Sequence, residues 1–156
     1  PMRSNWVTLI VLSATISVGC AQQKPENKES QTAELTAVSQ ELSEDAKLIE
    51  TTCYACHNPN TASHDDILAP PLAGIKQRYL RSYPDKEEFA AKIGDFVFEP
   101  SEEKAMMFGP VRRFGVMPKT ALTKEQVMRI VNYIYANELP EPGWFAEHER
   151  EMHGGN

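Results

Sequence analysis

Two thiols and one imidazole fall within five residues, Cys53-Tyr54-Ala55-Cys56-His57, and no other feature constrains the chain as tightly. On a helical turn, thiols at positions i and i+3 share a side, with the next residue beside them. Three chemistries use such a group. A redox dithiol of the thioredoxin kind comes with a βαβ pattern, and none is visible here. A zinc site needs further Cys or His ligands at matching spacing, and there is no second Cys pair. The third is covalent attachment of a haem. Each thiol adds across a vinyl group to give a thioether, and the following His is placed under the iron. The sequence therefore points to one haem c held by Cys53 and Cys56, with His57 as the proximal ligand.

The remaining cysteine, Cys20, sits in a different setting. It closes an apolar stretch, Trp6 to Val18, that follows a single early cation, Arg3. The stretch is too short to span a bilayer, which takes about 20 apolar residues, and residues 1–20 read as an export signal. Pro1 ahead of Met2 is read as lying one residue upstream of the natural start. The ending Ser17-Val18-Gly19-Cys20 resembles a bacterial lipoprotein signal, although Ser17 stands where that pattern usually has Leu. The resemblance implies a lipidated Cys20 at the mature N-terminus. Residues 21–42 are rich in Gln, Glu, Lys, Ser and Thr, with almost no bulky apolar residue before Leu35. Such a stretch cannot bury enough surface to offset its ordering entropy. It is expected to be a disordered linker, spanning roughly 25 Å as a flexible coil.

Residues 43–139 carry helical patterns and no alternating strand pattern, so the fold class is all-α. A first helix is predicted from Ser43 to Cys53, with Ser43 as N-cap, Glu44 and Asp45 in the first turn, and Leu42, Ala46, Ile49 and Cys53 on one face. A second is predicted from Asp85 to Phe98, with Phe89, Ile93, Phe96 and Val97 aligned and Pro100 as its stop; Gly94 weakens its middle. A short third runs from Ser101 to Met107 and ends at Gly109-Pro110. The last opens on a capping box of Thr123 and Gln126. Val127, Ile130, Val131, Ile134 and Tyr135 form its buried stripe, and Pro140 ends it. Residues 140–156 contain Trp144, Phe145, His148 and His153 and read as a polar, frayed tail.

Taken from the first helix to the last, about 95 residues resemble the class I cytochromes c. The matching features are the C-x-x-C-H at the end of a helix, Pro70-Pro71-Leu72-Ala73-Gly74 thirteen residues on, and Gly115-Val116-Met117-Pro118 just before the last helix. The resemblance implies helices packed around one covalent haem, with the first and last helices crossing, although the Gly and aromatic that usually mark that crossing are absent from the first helix. It implies that the carbonyl of Pro70 takes the Nδ1–H of His57, fixing the tautomer of a ligand. It also implies that Met117 supplies the sixth ligand, a soft thioether that favours the reduced iron. Met106 and Met107 are rivals for that place but read as fillers on a short helix, Met128 reads as core, and His64 reads as a surface histidine.

The formal net charge is -6, which argues against nucleic-acid binding. The cations gather locally. Arg112, Arg113, Lys119 and Lys124 surround Met117, and Lys76, Arg78 and Arg81 follow the proline pair. They suggest a basic rim for docking, and Arg112 or Arg113 as partner to a haem propionate. The functional expectation is a monomeric one-electron carrier rather than an enzyme. It would serve redox partner proteins at the periplasmic face of a bacterial membrane through a lipid anchor at Cys20, or in the soluble periplasm. The alternatives are a haem subunit dedicated to one dehydrogenase or oxidase, and a haem-based redox or gas sensor.

Overall fold

The computed structural model describes residues 28–153. The signal segment 1–20, Cys20 included, and the first part of the linker lie outside the described residues. Among the described residues the chain is all-α: α1 (Lys28–Thr52), α2 (Leu72–Ser82), α3 (Lys86–Phe98), α4 (Phe108–Phe114), α5 (Lys124–Ala136) and α6 (Phe145–His153), with one 3-10 turn at His64–Asp66.

The packed centre is the seam between α3 and α5, with α1 laid on α5 and α2 against both. Phe89 and Ile93 of α3 meet Val127, Ile130, Val131 and Ile134 of α5, and Ile49 of α1 closes the cluster. Each such side chain contributes about 1.5–3 kcal/mol on burial. A surface ion pair contributes about 0–1 kcal/mol, so the apolar seam rather than the ion pairs holds the fold. The α3–α5 approach is close: a Cβ on Gly94 would stand 3.1 Å from Sδ of Met128. Gly94 weakens helical propensity, but it is what lets α5 come near. The first and last helices of the haem domain cross through Ile49, and Asp45 Oδ1 on α1 receives Arg129 of α5 at 2.6 and 2.7 Å.

Local signals set the ends of two helices. Asp85 Oδ1 accepts from the backbone N–H of Glu87 and Glu88 at 3.0 and 3.1 Å and starts α3. Thr123 and Gln126 form the expected capping box on α5. The last carbonyls of α5 are met by the Lys76 ammonium, which donates to Asn137 O at 2.7 Å.

Four expectations are corrected. Residues 28–42, expected as flexible linker, are helical, because α1 continues the packed helix upstream through residues of good propensity such as Glu, Gln, Ala and Leu. Its residues 34–44 are all exposed, so that part is a helix without a core of its own. The short helix expected over Ser101–Met107 is instead a turn, and α4 starts at Phe108. The Gly109-Pro110 pair lies in its first turn, where a missing N–H costs nothing. The segment after the proline pair forms α2, with Leu72, Ala73 and Tyr79 buried. Finally, the C-terminal tail is ordered as α6, with Pro142 and Phe145 buried.

Candidate haem site

The end of α1 makes the C-x-x-C-H turn. Cys53 N–H donates to Ile49 O at 2.8 Å, finishing the helix. Cys53 O then accepts from Cys56 N–H at 3.2 Å and His57 N–H at 2.9 Å, so the five residues wrap one turn. Both thiols are free. Cys56 is exposed and Cys53 half-buried. Burial pushes the Cys53 thiol up, and the hydroxyl of Thr52, 3.6 Å from Sγ, works against that. The Thr52 hydroxyl also bonds the Leu48 carbonyl.

His57 Nδ1 lies 2.6 Å from the Pro70 carbonyl oxygen. A carbonyl only accepts, so Nδ1 carries the proton and Nε2 keeps its lone pair. Burial lowers the pKa of His57, while the Pro70 bond partly offsets it. The neutral, Nδ1-protonated ring is the form a metal ligand needs. Pro71 caps α2, whose Leu72, Ala73 and Tyr79 are fixed in the core. The rigid helix therefore holds the Pro70 carbonyl in place.

Met117 is half-buried in the loop between α4 and α5. Gly115, at φ 81, ends α4 with its N–H on Val111 O at 2.8 Å and turns the chain into that loop. This is a left-handed conformation that only glycine takes cheaply. Lys119, two residues past Met117, lies over the Phe98 ring at 5.6 Å. A cavity of about 560 Å³ opens beside the proline pair. Pro70, Met106, Met107 and Phe108 line it, and Met117 does not. Met106 also packs on the core cluster.

Charge is arranged differently from the sequence expectation. Arg113 is engaged within the chain: Nη1 lies 3.0 Å from both ring nitrogens of His64, Nη2 donates to the His64 carbonyl at 3.1 Å, and Asp65 lies 3.6 Å away. The guanidinium side chains facing the cavity are those of Arg78 and Arg81 on α2. His64, expected as a simple surface histidine, is half-buried against His148 and Trp144 of the C-terminal segment. Sequence reasoning missed these contacts; the only signal was a pair of adjacent aromatics, Trp144-Phe145, in an otherwise polar tail.

Two free thiols on one turn, a neutral imidazole with an open Nε2 and a neighbouring cavity fit a covalently held haem. The Cytochrome c family model matches residues 43–137. The chain belongs to the cytochrome c family. Its cofactor is covalent haem c, and its helical fold is that of the family. The cytochrome is 34% identical over 91 residues to an uncharacterised protein of Aquifex aeolicus (strain VF5), an alignment covering 56% of this chain and 58% of that protein. The chain thus spans a little over half the length of that relative. No solved structure matches it. Helix α6 lies beyond the residues the family accounts for.

Proposed function

We propose that this cytochrome is a monohaem electron carrier in which Cys53 and Cys56 would hold the haem as thioethers and His57 and Met117 would ligate its iron. The observation that carries the reading is the 2.6 Å contact of His57 Nδ1 with the Pro70 carbonyl. It commits the proton to one nitrogen and aims the other away, directly after the two free thiols. Bound haem supplies one-electron chemistry. The residues of the chain orient it: the turn at 53–57 fixes one edge, the Pro70 carbonyl holds the His57 proton, and the loop after Gly115 leaves the Met117 sulfur uncommitted to helix packing. Met106, by contrast, is partly buried against the core cluster.

The test is the weak near-infrared band of Met–iron ligation in the ferric protein. Met117→Ala should remove it, and Met106→Ala and Met107→Ala should leave it. Loss of the band in either of those two variants would move the ligand to the cavity-lining pair.

The chain is further proposed to be exported and lipidated at Cys20, holding the carrier at the periplasmic face of a bacterial membrane and serving redox partner proteins. Support comes from the apolar segment ending in Gly19-Cys20. Stable anchoring needs more than one acyl chain, so intact-mass measurement of native protein should find a multiply acylated N-terminal Cys20. A second reading, a haem subunit of a larger oxidoreductase, is favoured by one feature. Leu35, Val38 and Leu42 form an exposed apolar stripe on α1, and co-purification of a larger enzyme, lost in Leu35→Asp, would establish it.

A further inference from the structure

Helix α6 and the residue before it reach back over the molecule. Phe145, 4% exposed, packs its ring on Gly74 of α2. Trp144 Nε1 donates to the Thr61 carbonyl at 3.1 Å. The His148 ring stacks on His64, with centroids 4.3 Å apart and planes 23° from parallel. Trp144 stands edge-on to both, at 5.5 and 5.8 Å. Together Trp144, Phe145 and His148 form one wall of the cavity beside Pro70.

The Arg113 contact opposes a positive charge on the His64 ring. Nη1 of Arg113 stands 3.0 Å from both ring nitrogens of His64, so the guanidinium lies against the ring itself, whichever nitrogen holds the proton. Protonation of His64 would place a cation directly against the Arg113 guanidinium and leave a second imidazole stacked on the charged ring. The other charged groups nearby are few. Asp65 lies 3.7 Å from His64 Nδ1 and favours the charged ring, but its side chain is 94% exposed and water screens it. Glu149 of α6 and Arg78 and Arg81 of α2 face the same cavity. Burial first, then Arg113 and His148, hold the His64 pKa below its ordinary value, with Asp65 opposing.

We propose that α6 is a cover over the cavity, latched by the stack of His148 on a neutral His64 and released when His64 gains a proton. The released state binds that proton more readily than the docked state. Docking is therefore complete above the ordinary imidazole value of about 6.5 and is lost as pH falls through the lower docked value. Release bares Gly74 and the Phe145 ring and opens one wall of the cavity to solvent. The proposal stands on the α6 contacts alone and does not depend on which methionine ligates iron.

The experiment uses the full haem-loaded chain in its ferrous state, followed by ¹H–¹⁵N NMR from about pH 7.5 to about pH 5. The Trp144 indole N–H reports its bond to Thr61, and the amides of α6 report docking. Both should change in one transition with its midpoint below about 6.5, with α6 protection falling about tenfold or more. His64→Gln offers Arg113 a carbonyl acceptor without a titrating ring and should abolish the transition. Arg113→Met removes the cation that penalises a protonated ring, so α6 should stay docked to lower pH and the transition should shrink. No transition in the parent chain, or one left unchanged by both variants, would overturn the latch.

Discussion

Gly74 and Phe145 meet with no space between them: a Cβ at position 74 would stand 3.0 Å from Cζ of the ring. Gly74→Ala sets two effects against each other. Alanine improves α2 by about 1 kcal/mol in propensity, while forcing a methyl against a packed ring costs about 1–3 kcal/mol. The ring is buried and cannot swing aside, so the clash is relieved by lifting α6. Amide exchange should show α6 losing protection, while urea unfolding of the rest shifts by less than about 1 kcal/mol. A global loss above about 3 kcal/mol would instead make α6 part of the cooperative core.

At Gly94 the same reasoning gives a different outcome. The facing atom is Sδ of Met128, 3.1 Å from the virtual Cβ, in a side chain with three rotatable bonds that can give way. Gly94→Ala should therefore leave stability within about 1 kcal/mol of the parent. Gly94→Leu overfills the seam and should lose about 1–3 kcal/mol, partly restored by Met128→Ala. Urea midpoints of the three variants decide it.

Asp45 and Arg129 join α1 to α5 where the aspartate side chain is only 17% exposed. A double-mutant cycle of Asp45→Asn and Arg129→Met should give a coupling of about 1 kcal/mol, at the upper end for pairs near a surface, that shrinks in high salt. A coupling near zero would leave the apolar contacts around Ile49 to hold these helices together.

Tyr79 governs the alkaline limit. Burial first, then Tyr83, pushes its phenol up to about 12, with Arg78 opposing. The folded state holds the proton more tightly than the unfolded chain. Stability is thus complete below the ordinary value near 10 and falls as pH rises towards about 12, by roughly 2–3 kcal/mol in all. Urea unfolding followed by far-ultraviolet circular dichroism should show a flatter decline above about pH 10 in Tyr79→Phe than in the parent. Parallel declines would assign the alkaline limb to another group.

What could be read from the sequence was whatever is decided within a few residues. The capping box at Thr123 and Gln126, the stripe from Val127 to Ile134 and the Asp85 start of α3 are local, and all appear as expected. The haem turn and the Pro70 contact were legible because a five-residue motif and a fixed spacing carry them. Helix α2 was missed because a proline pair reads as a loop although it also opens helices. Helix α4 was misplaced because Gly109-Pro110 looks like a stop when it lies in the first turn. Helix α6 could not be found locally. Its order comes from Gly74, Thr61 and His64, residues that lie more than seventy positions upstream of their partners, and only the folded chain brings them together.

Helix α1 runs without a break from Lys28 to the turn that holds Cys53, and its length from residue 28 to 44 is about 25 Å at 1.5 Å per residue. That is about three Debye lengths at physiological salt. A membrane anchor upstream of Lys28, as proposed above, would be kept at standoff by this helix, and its electrostatic field would be almost extinguished at the C-x-x-C-H turn. The local charges that would meet a redox partner there would then be the cytochrome's own.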